Sequence, residues 1–202
     1  ERAADALLDG ARGNSGAILA QFFQGVSDTA AELTRFSTDT FAKAVKAGSS
    51  YARDALAEPR EGTILSVIDA YADALAKAPV RDDFAALMSE GLKAAETALA
   101  ATKHQLDVLR KADVVDAGAK GFVALIHGML AFVRDGEIVE ELSLPDDMEE
   151  VLMAGEETDL DFRYCTECVI VGEGIDRRKL REDLSRMGGS LVLAGSHRKA
   201  KV

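Results

Sequence analysis

The chain has 202 residues, of which 48% are hydrophobic and 5% aromatic, with no Trp and a formal charge of −11. That length accommodates one large domain or a domain with a smaller companion, and the apolar content suffices for a substantial core. The acidic balance excludes a nucleic-acid backbone or an anionic membrane surface as the main partner.

The first two-thirds of the chain is predicted to be helical, beginning at Ala3 and running to about Val133. Ile18, Leu19, Phe22, Phe23 and Val26 form one apolar stripe at helical spacing. Thr38-Asp39 is expected to cap the next helix, with Phe41, Val45, Ala52 and Leu56 turned inward. Pro59 and Gly62 break the chain, and Thr63 opens a helix carrying Ile64, Val67, Ile68, Tyr71 and Leu75. Asp82-Asp83 starts another, through Phe84, Leu87, Met88, Leu92 and Ala95. A short segment with Leu106 and Leu109 precedes Asp116, and a last helix bears Phe122, Leu125, Ile126, Met129 and Val133. Short connections between amphipathic helices predict an antiparallel, mainly α bundle over residues 1–134. Residues 135–161 are acidic, contain Pro145 and read as a linker. Residues 162–202 change character: a strand-like run from Tyr164 to Val171, a helix over 176–187 and a second apolar run over 190–194 predict the start of a small α/β domain.

No apolar run reaches the roughly 20 residues needed to span a bilayer, and no signal peptide is visible. Two cysteines, Cys165 and Cys168, are too few for a disulfide framework. A cytoplasmic location is the expectation. The chain opens inside a helix without an initiator Met and stops just after a strand-like run, so both ends read as cuts through a longer protein.

Three segments share one physical character, a glycine-containing turn feeding a helix. They are Gly10-Ala11-Arg12-Gly13-Asn14-Ser15-Gly16, Glu58-Pro59-Arg60-Glu61-Gly62-Thr63 and Asp116-Ala117-Gly118-Ala119-Lys120-Gly121. Helix starts present unpaired N–H groups and the positive end of the macrodipole, which suits phosphate. Glycine admits a ligand close to the backbone, and Ser15 and Thr63 add hydroxyl donors. None of the three has the spacing of a Walker A loop or a dinucleotide fingerprint; taken singly, each is also ordinary helix-capping chemistry, and Lys120 suits a phosphate contact or a solvated surface equally.

The residue identities go further than the spacing. Gly-Ala-Arg-Gly-Asn-Ser-Gly-Ala-Ile-Leu, Glu-Gly-Thr-Ile-Leu and Val-Asp-Ala-Gly-Ala-Lys-Gly together resemble the nucleotide-binding (DhaL-like) helical domain of the dihydroxyacetone kinase family, closest to the bacterial fatty acid kinases. The resemblance covers roughly residues 1–134, and Arg163-Tyr164-Cys165-Thr166-Glu167 is similar to the entry of the middle domain in those kinases. It implies a barrel of antiparallel helices with ATP at one end. Gly13, Asn14, Ser15 and Gly16 would be the phosphate-contacting turn, Gly62 and Thr63 the second nucleotide-contacting turn, and Asp116, Gly118 and Gly121 the third. It implies a kinase of phospholipid metabolism that phosphorylates a fatty acid presented by an acyl-binding partner protein. The family's Mg²⁺ ions are held by an Asp-Gly-Asp loop that this chain lacks. That loop is expected before Glu1, within about 60 missing residues, and the fragment alone is expected to be inactive.

Cys165-Thr166-Glu167-Cys168 is a single C-x-x-C, with His197 further on. Residues three apart on a strand face opposite sides, so a buried strand cysteine is the plainer reading; a zinc site needs four ligands. The resemblance implies Cys165 as a Zn²⁺ ligand in the middle domain and does not extend to Cys168. His104 and His127 are expected at packing or surface positions. A homodimeric parent, a dihydroxyacetone-type kinase, and a nucleotide-binding or protein-interaction module without catalysis all stay open as expectations.

Overall fold

The computed structural model describes residues 2–79, 82–136, 166–189 and 191–202. Over these the chain is mainly helical, with one small antiparallel sheet near its C-terminal end. The helices, in order, are α1 (Arg2–Gly10), α2 (Gly13–Thr29), α3 (Thr38–Asp54), α4 (Ile64–Lys77), α5 (Phe84–Gln105), α6 (Asp107–Ala112) and α7 (Ala117–Asp135). Consecutive long helices pack on one another, and α7 closes back onto α5, α4 and α2.

The predicted stripes form the core. Ile18 and Phe22 of α2, Val45 and Ala52 of α3, Val67, Ile68 and Leu75 of α4, Leu87 and Met88 of α5, and Phe122 and Ile126 of α7 are buried together. Phe122 joins the helices at the centre, with its ring edge-on to Phe22 at 5.6 Å and to Tyr71 at 5.8 Å. Edge-to-face pairs of this kind add stabilisation beyond the area they bury. Tyr71 is enclosed to the point that its hydroxyl meets no partner among the described residues, and burial pushes its phenol pKa well up.

Several local expectations shift. The cap of α3 is Ser37, not Thr38-Asp39: Ser37 Oγ accepts from the Thr40 amide at 3.2 Å, and Thr40 Oγ1 accepts from the Ser37 amide at 2.8 Å, a reciprocal capping box. Leu56 lies beyond the end of α3 and is only half-buried. Val133, expected inward, is exposed, because it sits on the solvent side of the last turn of α7. That helix is 19 residues long and apolar enough to cross a membrane by length and composition, a test that a core helix also passes. Its Ala119, Phe122, Val123, Ile126 and Leu130 are buried. Gly136, at φ 69°, caps it in the left-handed conformation that glycine tolerates.

The acidic stretch expected as a linker lies, from residue 137 on, outside the described residues. Beyond it come β1 (Val169–Val171), α8 (Arg177–Leu184), β2 (Ala194–Gly195) and β3 (Lys199–Lys201). The sheet order is β1-β3-β2, both pairings antiparallel, with Ile170 opposite Ala200 and Gly195 opposite Ala200. The expected strand–helix–strand is therefore extended by a hairpin. Its third strand, Lys199-Ala200-Lys201, carries too much charge to read as a strand, yet Ala200 between the lysines is completely buried. Asp176 caps α8 through the amides of Arg178 and Lys179, each at 3.1 Å.

This C-terminal unit is packed on the helices. Ala194 is buried with Leu8, Ala11, Ala17 and Ala20 of the α1–α2 region. The Gly195 amide donates to the buried Gln21 Oε1 at 2.7 Å, and Lys201 Nζ reaches the Ala11 carbonyl. Residues 191–193 run antiparallel to residues 55–57, with Leu56 bridged to Val192, the Leu193 amide 2.7 Å from the Ala55 carbonyl and the Ala57 amide 3.2 Å from the Leu191 carbonyl.

Candidate functional site

The first glycine segment is not a turn ahead of a helix. Its second half is the opening turn of α2, which starts at Gly13 with φ 60°. The residue before it, Arg12, makes no side-chain cap. Its guanidinium instead donates to the carbonyls of Asp9 at 3.1 Å and Ala11 at 2.9 Å, bracing the turn from α1. The first amides of α2 are thus left without a side-chain acceptor from their N-cap residue. The side chains of Asn14 and Ser15 have no hydrogen-bond partner among the described residues, and both residues are exposed.

The other two helix starts each carry a side-chain cap. Thr63 Oγ1 accepts from the Leu65 amide at 3.4 Å and donates its own proton to the Arg60 carbonyl at 2.8 Å. The Gly62 amide donates to Ser66 Oγ at 2.9 Å, and Ser66 in turn donates to Glu61 Oε2 at 2.6 Å. Arg53 of α3 holds this turn from outside, donating to Glu61 Oε1 at 2.8 Å and, through Nε, to Asp69 Oδ2 at 3.0 Å. The Ser66 hydroxyl first, and the Arg53 guanidinium second, keep the Glu61 carboxyl below its ordinary value; Glu61 first and Asp69 second raise that of Arg53. At the start of α7, Asp116 Oδ1 accepts from the Ala119 amide at 2.7 Å. The Asp116 amide donates to Thr102 Oγ1 at 3.1 Å, a fully buried hydroxyl of α5 that itself donates to the Leu99 carbonyl at 2.7 Å.

A group whose folded pKa is lowered stabilises above its unfolded value and loses that contribution as the pH falls through the folded one. Glu61→Gln is therefore expected to lower the melting temperature near neutral pH, with the gap from the natural protein closing below the ordinary glutamate value of 4.5. Its side chain is 63% exposed, so the effect is small and screened by salt. A melting-temperature gap that is constant with pH would refute this account of the turn.

The three segments, far apart in sequence, meet at one cleft of about 420 Å³. Asn14 and Ser15, then Arg60, Thr63 and Ile64, then Asp116 line it, with Ile18, Leu56, Ala57 and Glu58. Among these, Arg60 is the one cation. Gly13, Gly16, Gly62, Gly118 and Gly121 are not in the lining. Gly16 packs on Ala11, where a Cβ would lie 3.3 Å from its Cα, and Gly118 packs on Ser15, where a Cβ would lie 3.0 Å from the serine Cβ. Gly62, at φ 82°, is pressed against Gln105, and Gly121 faces open space. Lys120 is exposed and outside the lining. The glycines thus shape the backbone, while Asn14, Ser15, Thr63 and Asp116 of the expected set face the cleft.

Sequence reasoning missed two contributions. Arg60 lies within the second glycine segment, but nothing in spacing singles out its side chain. Ser185, Gly188, Gly189 and Leu191 complete the lining from the C-terminal unit, and no local signal links them to residues so far upstream.

Among the described residues no group of three or more His, Cys, Asp or Glu could hold a metal ion. Glu58 and Asp116 by themselves do not make a magnesium site, and Asp116 already spends one oxygen on its helix cap. Cys165 lies outside the described residues. Cys168, expected buried in a strand, is exposed just before β1, its backbone paired with Val202 at 3.0 Å in both directions. His127 is at the surface, with Nε2 2.8 Å from Glu96 Oε1, and His104 is exposed.

Residues 1–131 match the DAK2 domain, and residues 161–202 match the FakA-like middle domain of the fatty acid kinases. Protein YloV of Bacillus subtilis is 36% identical over 211 aligned residues, covering 97% of this chain and 38% of the relative. An uncharacterised protein of Staphylococcus saprophyticus is 37% identical over 209 residues, with the same coverage of 97% and 38%. The chain thus spans well under half the length of these curated relatives. With residues 1–131 matching the DAK2 domain and residues 161–202 the FakA-like middle domain, it belongs to the DAK2 domain family of the dihydroxyacetone and fatty acid kinases.

Proposed function

We propose that the cleft is the ATP site of a kinase whose γ-phosphoryl group is passed to the carboxylate of a fatty acid carried by a separate acyl-binding protein. The observation that supports this best is the meeting of an uncapped helix start, two free polar side chains and one cation in a cleft of about 420 Å³, a size usual for small-ligand sites of roughly 300–1,000 Å³. The first-turn amides of α2 and the Ser15 hydroxyl would donate to phosphate oxygens, and Arg60 would offset their charge. Thr63 and Asp116 would hold the walls, since each already spends hydrogen-bonding capacity on its own helix. In the transfer, an acyl carboxylate oxygen bonds to the γ-phosphorus, the bond to the β–γ bridging oxygen breaks, and ADP leaves. The Mg²⁺ that such a transfer uses would need ligands beyond the described residues, and a Zn²⁺ at Cys165 rests on the family resemblance alone.

The test is made in the full-length protein. Supplied with acyl-loaded partner, it should consume ATP in a Mg²⁺-dependent manner; ATP binding without consumption would leave a nucleotide-binding module, and no binding would refute the site. Ser15→Ala should weaken ATP binding by about 1.5–3 kcal/mol, the worth of a hydrogen bond to a charged group, without lowering the melting temperature. Thr63→Ala should act differently, costing about 1 kcal/mol of stability through the lost cap. Titration calorimetry separates the two, and unchanged affinity in Ser15→Ala would count against the phosphate assignment.

A further inference from the structure

Part of the cleft lining is supplied by the C-terminal unit, in residues that the DAK2 match does not include. Ser185, just past the end of α8, and Gly188, Gly189 and Leu191 all line the opening. This wall is fastened on both flanks. Upstream, Arg181 donates to the Asp54 carbonyl at the end of α3. Downstream, residues 191–193 are zipped antiparallel to residues 55–57, immediately before the Glu58–Thr63 turn. The Gly195 amide then reaches Gln21, on the same helix whose first turn carries Asn14 and Ser15.

The two walls differ in chemistry. The helix starts and the turn before α4 contribute amides, hydroxyl and amide side chains, Arg60, and the carboxylates of Glu58 and Asp116, the latter engaged in its helix cap. The C-terminal unit contributes Ser185, glycine peptide and the apolar Leu191, whose carbonyl accepts from the Ala57 amide beside Leu56. A polyanion suits the first, and a flat, uncharged heterocycle suits the second, because small and aliphatic groups admit a ring face while glycine backbone offers hydrogen bonds to its edge. Resting on the reading of the cleft as a nucleotide site, we propose that Gly188, Gly189 and Leu191 form the nucleoside-side wall, so that base recognition depends on the C-terminal unit while phosphate recognition depends on the helices. The unit is then a specificity element of the site and not merely a neighbour of it.

The experiment compares ATP with inorganic tripolyphosphate, which carries the same phosphate chain and no nucleoside, by titration calorimetry on the full-length protein. A Cβ at Gly188 would meet nothing within 4 Å, so Gly188→Val should fold and project bulk into the opening. ATP affinity should fall about tenfold or more, equivalent to about 1.4 kcal/mol, while tripolyphosphate affinity stays unchanged. Leu191→Ala, which removes bulk, should give the same selective loss and guards against a folding defect in the first variant. Equal losses for both ligands, or none for either, in correctly folded variants would overturn the proposal. Failure of the unaltered protein to bind ATP would instead overturn the nucleotide reading of the cleft on which it stands.

Discussion

Gly118→Val is expected to abolish most of the nucleotide affinity while leaving the helical core folded. A Cβ at position 118 would collide with Ser15 Oγ and lie 3.0 Å from Ser15 Cβ and 3.4 Å from Asp116 Oδ1. Rotating the serine hydroxyl relieves the first contact but not the second, so the starts of α2 and α7 must move apart. Overpacking of this kind costs about 1–3 kcal/mol of stability. The larger consequence falls on binding, because the displaced groups are the Ser15 hydroxyl and the first-turn amides of α2 that would hold the phosphates, each hydrogen bond to a charged group being worth about 1.5–3 kcal/mol. Calorimetric titration of the full-length variant with ATP measures the loss. Ser15→Gly in the same chain should restore the melting temperature by removing the colliding atoms, though not the affinity, since the serine donor is gone with them. Affinity equal to that of the natural protein in Gly118→Val would show that the two helix starts do not act as one site.

The second large effect concerns the crossing of α2 and α3. A Cβ at Gly48 would lie 2.7 Å from the Phe22 carbonyl oxygen and 2.9 Å from Phe22 Cδ2, and one at Gly25 would lie 2.9 Å from the Ala47 carbonyl. The two glycines let these helices approach backbone to backbone, which seats Phe22 against Phe122. Replacing a helical glycine normally helps the helix by at most about 1 kcal/mol. At Gly48 that gain is outweighed, because the obstacle is backbone and cannot rotate away. Gly48→Val should destabilise the fold by about 3 kcal/mol or more, lowering the melting temperature by roughly 2–4 °C per kcal/mol in a chain of this size. Gly128 supplies the opposite sign. It lies on the exposed face of α7, a Cβ there meets nothing within 4 Å, and Gly128→Ala should raise stability by about 0.5–1 kcal/mol. Shifts of opposite sign in thermal melts would support close helix approach; stabilisation by both substitutions would refute it.

Gly48 and Gly128 are both glycines inside apolar-periodic helices, and no pattern distinguishes them. One faces a neighbouring backbone and the other faces solvent, a difference created only when α3 is laid on α2. In the same way, Ser15 and Thr63 are equivalent in sequence as hydroxyls at helix starts. The structure separates them: Thr63 is engaged on both sides by its own turn, whereas Ser15 has no partner among the described residues.

What the sequence by itself determined is the helical part and its kinship. The apolar spacing of α2, α4, α5 and α7 specifies which faces go inward, because a period near 3.6 leaves a helix one stripe to bury. The wording of three short segments identified the family that the domain matches later established. What only the tertiary structure decided is which atoms of those segments share a cleft. Hydrogen bonding through Arg53, Glu61, Ser66 and Thr102 sets the turns, glycines 16, 62 and 118 serve packing, and Ser185, Gly188, Gly189 and Leu191 complete the lining. The physical reason is common to all of these. Local pattern records what a residue does within its own helix, whereas a binding cleft is made from what helix ends leave unsatisfied after distant segments have packed.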